Sequence, residues 1–284
     1  MMQIAECVHK FITQSLPIWE LRSTFALVRC KWHRLQAFGH SPEGYSTARM
    51  LHKDPNLSLP KRFSLSKDDN GECVFVEAPD DLQNFYKENG LVQHQITQWP
   101  DDEVKAKLSA ALQTIAQVPQ AANSIGQLVK AIQVVDAGHP DFDMSYSHPD
   151  LPFTVFVSLC EGASTQSNLR VAEGILHEAM HLKLTLVEEV LSLVNTQSSA
   201  VYFSPWRDEM RPAQGVLHGL FVFRAIHDFY QLLFPITNDA SAKDFLSFRI
   251  EQIHDEICSL NSFANCPDLT PAGATLTENL LPLN

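Results

Sequence analysis

Apolar residues recur at helical spacing from about residue 3 to 38, with Pro17 punctuating the run, and predict helix over most of that stretch. From Gly39 to about Pro79 the pattern dissolves into turn-forming and polar residues. That segment predicts an irregular excursion with one short strand at "CVFVEA". Periodicity returns in "PDDEVKAKLSAALQTIAQV", a predicted helix with Asp101 as its N-cap and Asp102 and Glu103 complementing the dipole of its first turn. Two β-branched and aromatic runs follow, "LVKAIQVVDA" and "LPFTVFVSLC", separated by the loop "GHPDFDMSYSHPD" and expected to be neighbours in a small sheet.

After "EGASTQSN" comes a long helical pattern, "LRVAEGILHEAMHLKLTLVEEV". The next, "PWRDEMRPAQGVLHGLFVFRAIHDFYQLLF", has Pro212 suited to a first turn. Its apolar residues fall on nearly every side from Val216 to Phe234, so this helix is expected to be buried all round. A helix through "AKDFLSFRIEQIHDEICSL" and a short one after "LTPAG", capped by Thr270 with Pro271 in its first turn, complete the pattern. The expected fold is mainly α with a small β-sheet, an α+β architecture. A mainly helical region, residues 1–125, packs with a second region, residues 126–284, as one compact unit.

Composition narrows the function classes. The 284 residues carry 33 acidic and 21 basic side chains, a formal net charge of -12. That balance argues against a sequence-independent grip on nucleic acid or on an anionic membrane, both of which need clustered Lys and Arg. No run of eighteen apolar residues occurs, and the first twenty lack the basic flank and apolar core of an export signal, so a cytoplasmic protein is expected. Cys7, Cys30, Cys73, Cys160, Cys258 and Cys266 are widely spaced with no Cys-x-x-Cys pair, and are expected to be reduced thiols.

The candidate chemistry lies in "LHEAMHLK". His177 and His181 are four apart, one helical turn, and can aim both imidazoles at one ion, while Glu178 is rotated by about 100° from His177. Glu188 lies near the histidine face but about 10 Å further along the axis than His181, too far to share an ion with it. One peptidase continuation of this motif needs glycine at 184 and histidine at 187, where the chain has Leu184 and Val187. Another needs a glutamate from the next helix, which offers no acidic residue before Asp228.

That next helix does carry His218, with Gly215 and Gly219 beside it. Small residues let two helices approach closely, so His218 is a candidate third ligand in a metal site between two packed helices, preceded by a short strand. Three neutral imidazoles suit zinc, iron or copper. Arg207 and Arg211, four apart in "YFSPWRDEMRP", form a candidate carboxylate clamp, because arginine meets carboxylates with two parallel bonds.

Taken in order, "LPFTVFVS", "EGILHEAMHLKL", "SPWRDEMRP", "GVLHGLFVF" and "LTPAG" resemble the HExxH-motif peptide-modifying proteins of ribosomally made peptide natural products. The resemblance covers residues 145 to 282. It implies 2-oxoglutarate-dependent β-hydroxylation of a side chain in a precursor peptide, using iron(II) and dioxygen. It further implies that His177, His181 and His218 bind the iron and that Arg207 or Arg211 holds the distal carboxylate of 2-oxoglutarate. Glu178 then orients a ligand or a bound water, and Asp208 is a fallback ligand. The substrate peptide is expected to pair with an edge strand at Phe153–Ser158. Two other readings stand beside this one: a zinc metallopeptidase with Glu178 as general base, and a metal-free helical module that binds peptides.

Overall fold

The computed structural model describes residues 2–14, 17–67, 73–79, 81–94, 101–139 and 142–281, without the side chains at 2, 3, 66, 67 and 73. It is the α+β fold expected. The chain opens with α1 (Met2–Thr13), α2 (Leu21–Gln36) and the short α3 (Thr47–Leu51), followed by β1 (Arg62–Lys67) and β2 (Cys73–Glu77). Then come α4 (Gln83–Glu88), β3 (Val92–Gln93), α5 (Asp102–Ala116), α6 (Pro119–Leu128), β4 (Ala131–Asp136), β5 (Ser145–Tyr146) and β6 (Thr154–Ser158). The long α7 (Thr165–Glu188) leads to β7 (Val201–Ser204), β8 (Glu209–Pro212), α8 (Ala213–Leu233), α9 (Ala240–Cys258) and α10 (Pro271–Leu280). Among the described residues no helix is long and apolar enough to cross a membrane. Cys7, Cys30, Cys160, Cys258 and Cys266 are free thiols.

The chain forms two compact units, one of Met1–Leu27 with Lys183–Asn284 and one of Val28–Leu182. The second unit holds a six-stranded sheet ordered β1-β2-β4-β6-β5, with β3 also pairing to β4. The expected neighbours β4 and β6 are parallel partners from Ala131↔Thr154 to Val135↔Ser158. Both are buried along nearly their whole length, which explains why they read as continuous apolar runs and not as alternating ones. The strand at "CVFVEA" is β2, parallel to β4.

Three features of the sequence reading need correction. The stretch from Gly39 to Pro79 also holds α3 and β1, which pairs antiparallel with β2. The strand at Phe153–Ser158 is not an edge, since β5 covers its far side at Phe156 and Val157. Phe153 itself precedes the strand with φ +69, a left-handed conformation that costs a bulky residue about 1–3 kcal/mol. Its carbonyl accepts from both Lys130 N and Ala131 N, and its ring stacks on Trp32 at 4.7 Å, so the surroundings hold it there. Third, α8 is buried or half-buried from Val216 to Tyr230, but Leu232 and Phe234 at its end are exposed.

A buried polar network ties the segment before α3 to the sheet. Tyr45 donates its hydroxyl to Pro152 O and lies 2.6 Å from Thr154 Oγ1, which is 3.0 Å from Thr47 Oγ1. Glu77 Oε2 accepts from Thr47 N (2.9 Å) and Gln133 Nε2 (3.3 Å), while its Oε1 is buried without a hydrogen-bond partner. Burial pushes the Glu77 carboxyl above its ordinary range, against the pull of Thr47, Arg62 and Gln133.

The first unit is built around α8. Lys183, fully buried, donates to Ile18 O (2.5 Å) and Glu20 O (3.4 Å) and lies 4.5 Å from the centre of the Phe11 ring. These contacts fasten the link between α1 and α2 to Lys183. Burial lowers the Lys183 pKa to about 7. The cap of α10 is as expected: Thr270 Oγ1 accepts from Gly273 N at 3.1 Å. Gly273 is required there, because a methyl group would sit 2.0 Å from Leu193 O.

The raised carboxyl of Glu77 makes a pH prediction. In the window above the unfolded value the folded state holds the extra proton, so stability falls as pH rises through the folded pKa. Glu77→Gln removes that dependence. Urea unfolding of wild type and variant at pH 4, 5.5 and 7 is expected to show the difference shifting steadily in favour of the variant; a constant difference would contradict the account.

Candidate functional site

Helix α7 begins where Ser164 Oγ accepts from Ser167 N at 3.1 Å, an N-cap that ends the loop after β6. From there the helical repeat brings the two motif histidines together. His177 Nε2 and His181 Nε2 are 3.1 Å apart, with ring centroids at 4.8 Å. Two nitrogens each about 2.1 Å from one ion and at a right angle to each other would be about 3 Å apart. That spacing lets the two rings share a hydrogen bond, and it is also compatible with two adjacent donors to one transition-metal ion.

Glu178 turns toward the sheet, as its different direction of exit from the helix leads one to expect. Its side chain is buried. Ser145 Oγ donates to Oε1 at 2.6 Å and Ser147 Oγ to Oε2 at 2.6 Å. Oε1 is also 3.9 Å from His177 Nε2. The carboxylate is thus held on both oxygens while lying close to the first histidine.

The pattern of "DMSYSHPD" reads as loop and does not announce Ser145 and Ser147. The signal was present in the two-residue spacing: in an extended segment, positions i and i+2 face the same side. Tyr146 between them points elsewhere and donates to Asn89 Oδ1 at 2.7 Å. Burial, and secondarily the charge of Glu178, raises the Tyr146 phenol above its ordinary value.

Helix α7 lies close to this part of the sheet at Gly174, where a methyl group would meet Ser145 Cβ at 3.6 Å and Val157 Cγ1 at 3.7 Å. A cleft of about 90 Å³ remains, lined by Ser145, Gly174, His177 and Arg170 among others. Arg170 Nε is paired with Asp143 Oδ2 at 2.8 Å at its mouth. A larger cleft of about 450 Å³ in the first unit, beside Trp19, Phe221 and His227, contains none of the predicted ligands.

His218 belongs to the first unit, on α8. Its Nε2 is 3.0 Å from Glu188 Oε2, an oxygen that also accepts from Gln214 Nε2 at 3.0 Å. Glu188, set aside by sequence because of its distance along the helix, is therefore the carboxylate that His218 meets. Its Oε1 is buried without a hydrogen-bond partner.

The glycines beside His218 do a different job from the one expected. A methyl group at Gly219 would lie 2.5 Å from Trp206 Cε3, and one at Gly215 would lie 3.3 Å from Arg211 Cζ and Nε. The small-residue face thus receives side chains from the hairpin β7–β8 and not the backbone of a second helix. Trp206 stacks face to face on Phe223 with ring centroids 5.0 Å apart. In the hairpin, Arg211 stands opposite Tyr202, and Arg211 Nε is 3.6 Å from Glu209 Oε1. Arg207 and Asp208 are exposed in the turn, and Asp208 has φ +50.

Among the described residues, no group of three or more His, Cys, Asp or Glu side chains is arranged to hold a metal ion. The structure brings together His177, His181 and Glu178 in one unit, and His218 and Glu188 in the other. Comparison with protein-family models gives no match to the chain, and neither does comparison with curated proteins.

The close fit at Gly219 can be tested directly. Gly219→Ala forces the Trp206 indole away from α8, and overpacking of this kind costs about 1–3 kcal/mol. Urea unfolding is expected to show that loss together with altered tryptophan fluorescence of the folded protein. Unchanged stability and spectrum would mean that Trp206 is not seated on Gly219.

Proposed function

We propose that the protein is an iron(II)- and 2-oxoglutarate-dependent hydroxylase acting on the β-carbon of a side chain in a ribosomally made peptide. The observation that carries the reading is the convergence of His177 and His181, 3.1 Å apart at Nε2, beside a carboxylate anchored on both oxygens. The ordered motifs from Leu151 to Gly273 support it further by their resemblance to the peptide-modifying HExxH proteins.

In this reading His177 and His181 supply two neutral imidazole donors, and the resemblance implies His218 as the third. Bound iron(II), with 2-oxoglutarate and dioxygen, supplies the oxidising power to convert a C–H bond to C–OH, with succinate and carbon dioxide as co-products. The protein's own share is orientation. Ser145 and Ser147 fix Glu178, and Glu178 orients a water or ligand near His177. Arginine supplies the counter-charge for the distal carboxylate of 2-oxoglutarate.

One observation favours the metallopeptidase alternative. Glu178 Oε1, 3.9 Å from His177 Nε2, is within reach of a water bound to an ion held there, as a general base must be. Against it, one lone pair on each Glu178 oxygen is already engaged by a serine hydroxyl, which suits positioning better than proton abstraction.

Anaerobic loading with iron(II) and 2-oxoglutarate, then addition of oxygen and a precursor peptide encoded beside the protein, tests the reading. The expected product is the peptide heavier by one oxygen atom, with one succinate formed per hydroxylation. His177→Ala and His181→Ala are expected to lose bound iron as well as product, and His218→Gln shows by iron content whether that residue is the third ligand. Amide cleavage by the zinc-loaded protein without 2-oxoglutarate would establish the peptidase instead. Peptide binding without any metal, unaffected by His177→Ala, would sink both enzymes.

A further inference from the structure

Helix α8 carries a buried imidazole that the candidate metal site does not use. His227 is 3% exposed, and among the described residues neither of its ring nitrogens has a hydrogen-bond partner. An enclosed polar group left this way is destabilising until something bonds to it. A second imidazole, His254 on α9, stands 6.3 Å away between ring centroids and supplies no hydrogen bond. Asp228 Oδ1 is 3.6 Å from His227 Nδ1. That is too far for a hydrogen bond but near enough to favour the proton on Nδ1, which leaves Nε2 as an acceptor.

His227 forms part of the wall of the cleft of about 450 Å³, all of it within the first unit. Phe11, Trp19, Phe221 and Leu276 give that wall its apolar surface. Its other polar groups are already engaged. Arg224 donates to Asp228 Oδ1 at 2.8 Å and to Leu280 O at 2.6 Å, and Asn279 Nδ2 donates to Ile12 O at 2.6 Å. These bonds tie α1, α8 and α10 together around the cleft, so it is formed before any ligand arrives. Arg224 and Asp228 also neutralise each other, so net charge draws in neither a cation nor an anion. What the wall lacks is an apolar occupant with one hydrogen-bond donor.

We propose that this cleft binds a small neutral aromatic molecule that donates one N–H or O–H to His227 Nε2. The inference stands apart from the hydroxylase reading and uses none of its residues. The cleft has the size of a small-molecule site, for which about 300–1,000 Å³ is usual, and the composition of one, apolar walls with few polar groups. A turn of the imidazole about its Cβ–Cγ bond, a torsion with broad preferences, presents Nε2 to the ligand. The aromatic rings of the wall suit an aromatic body, which packs against them by its edge or face.

The test uses the full chain and two probes of one shape. Indole carries a ring N–H; benzofuran has an oxygen in its place and no donor. Binding is followed through the side-chain N–H signal of Trp19 in a proton–nitrogen correlation spectrum, identified by its loss in Trp19→Phe. Both probes are expected to move that signal saturably. Indole is expected to bind about three- to tenfold more tightly, the contribution of one neutral hydrogen bond. His227→Leu keeps a side chain of similar volume but removes both nitrogens. It is expected to bind benzofuran as the wild type does and to lose the preference for indole. Equal affinity of the wild type for the two probes, or a preference for indole that survives His227→Leu, overturns the proposal. So does a Trp19 signal that neither probe moves at millimolar concentration, which would leave His227 to an enclosed water alone. The wild-type comparison decides the matter by itself should His227→Leu fail to fold.

Discussion

Two serine hydroxyls on one buried carboxylate set the place of the motif helix against the sheet. Ser145 and Ser147 each donate to Glu178 at 2.6 Å, so α7 is held in both rotation and height at the position where His177 and His181 converge. A buried carboxylate without donors would be costly, because desolvation of a charge is offset only by hydrogen bonds or an opposite charge. Here the donors come from a two-residue strand whose register against β6 is fixed at Ser145↔Val157 and Tyr146↔Phe156. The same constraint runs downward through the sheet, since β6 is held by β4 and β4 by β2. Gly174 adds the close fit, with Ser145 and Val157 lying where a larger side chain would reach. The position of the histidine pair thus depends on contacts made by residues that carry no metal chemistry themselves.

The first unit solves a related problem by different means. A hairpin whose second strand passes into α8 within one residue has little freedom to place its side chains. Trp206 and Arg211 then settle against the two glycines of the helix, Gly219 and Gly215. The indole is fixed further by stacking on Phe223, so the hairpin is fastened at its turn as well as at its base. His218, between the two glycines, is left with Glu188 as its carboxylate partner, and Gln214 donates to the same oxygen. That arrangement orders the imidazole by a hydrogen bond from Nε2 to Glu188 Oε2.

Much of this was legible in the sequence, and the parts that were not share a cause. The long helices announced themselves by spacing and caps, Asp101 and Thr270 among them, because those signals are local. β4 and β6 were legible because burial on both faces leaves an unbroken apolar run. β1 was not, since "RFSLSK" offers only Phe63 and Leu65 as apolar residues and, among the described residues, pairs on one side only. The interior place of β6 was hidden because its second partner, β5, is two residues long and too short to carry a pattern. In α8 the glycines correctly announced a close approach, but spacing alone does not distinguish a neighbouring helix from a tryptophan folded back from thirteen residues upstream. The roles of Ser145, Ser147 and Glu188 depend on partners distant in sequence, and no local signal names a partner.

A chain with a net charge of -12 is an unpromising host for a dicarboxylate if charge is considered only as a sum. Salt changes that judgement, because at physiological ionic strength fields between exposed charges fade beyond about 8 Å. What an anion meets is therefore local composition. The hairpin and the start of α8 carry Arg207 and Arg211 against Asp208 and Glu209, a balanced set in an otherwise acidic chain. An exposed arginine on a turn must surrender its side-chain freedom on binding a carboxylate, whereas one already resting on a helix surface has lost part of it on folding. A seat provided by a glycine thus does for the Arg211 guanidinium what serine donors do for Glu178: the polar group is placed by the fold.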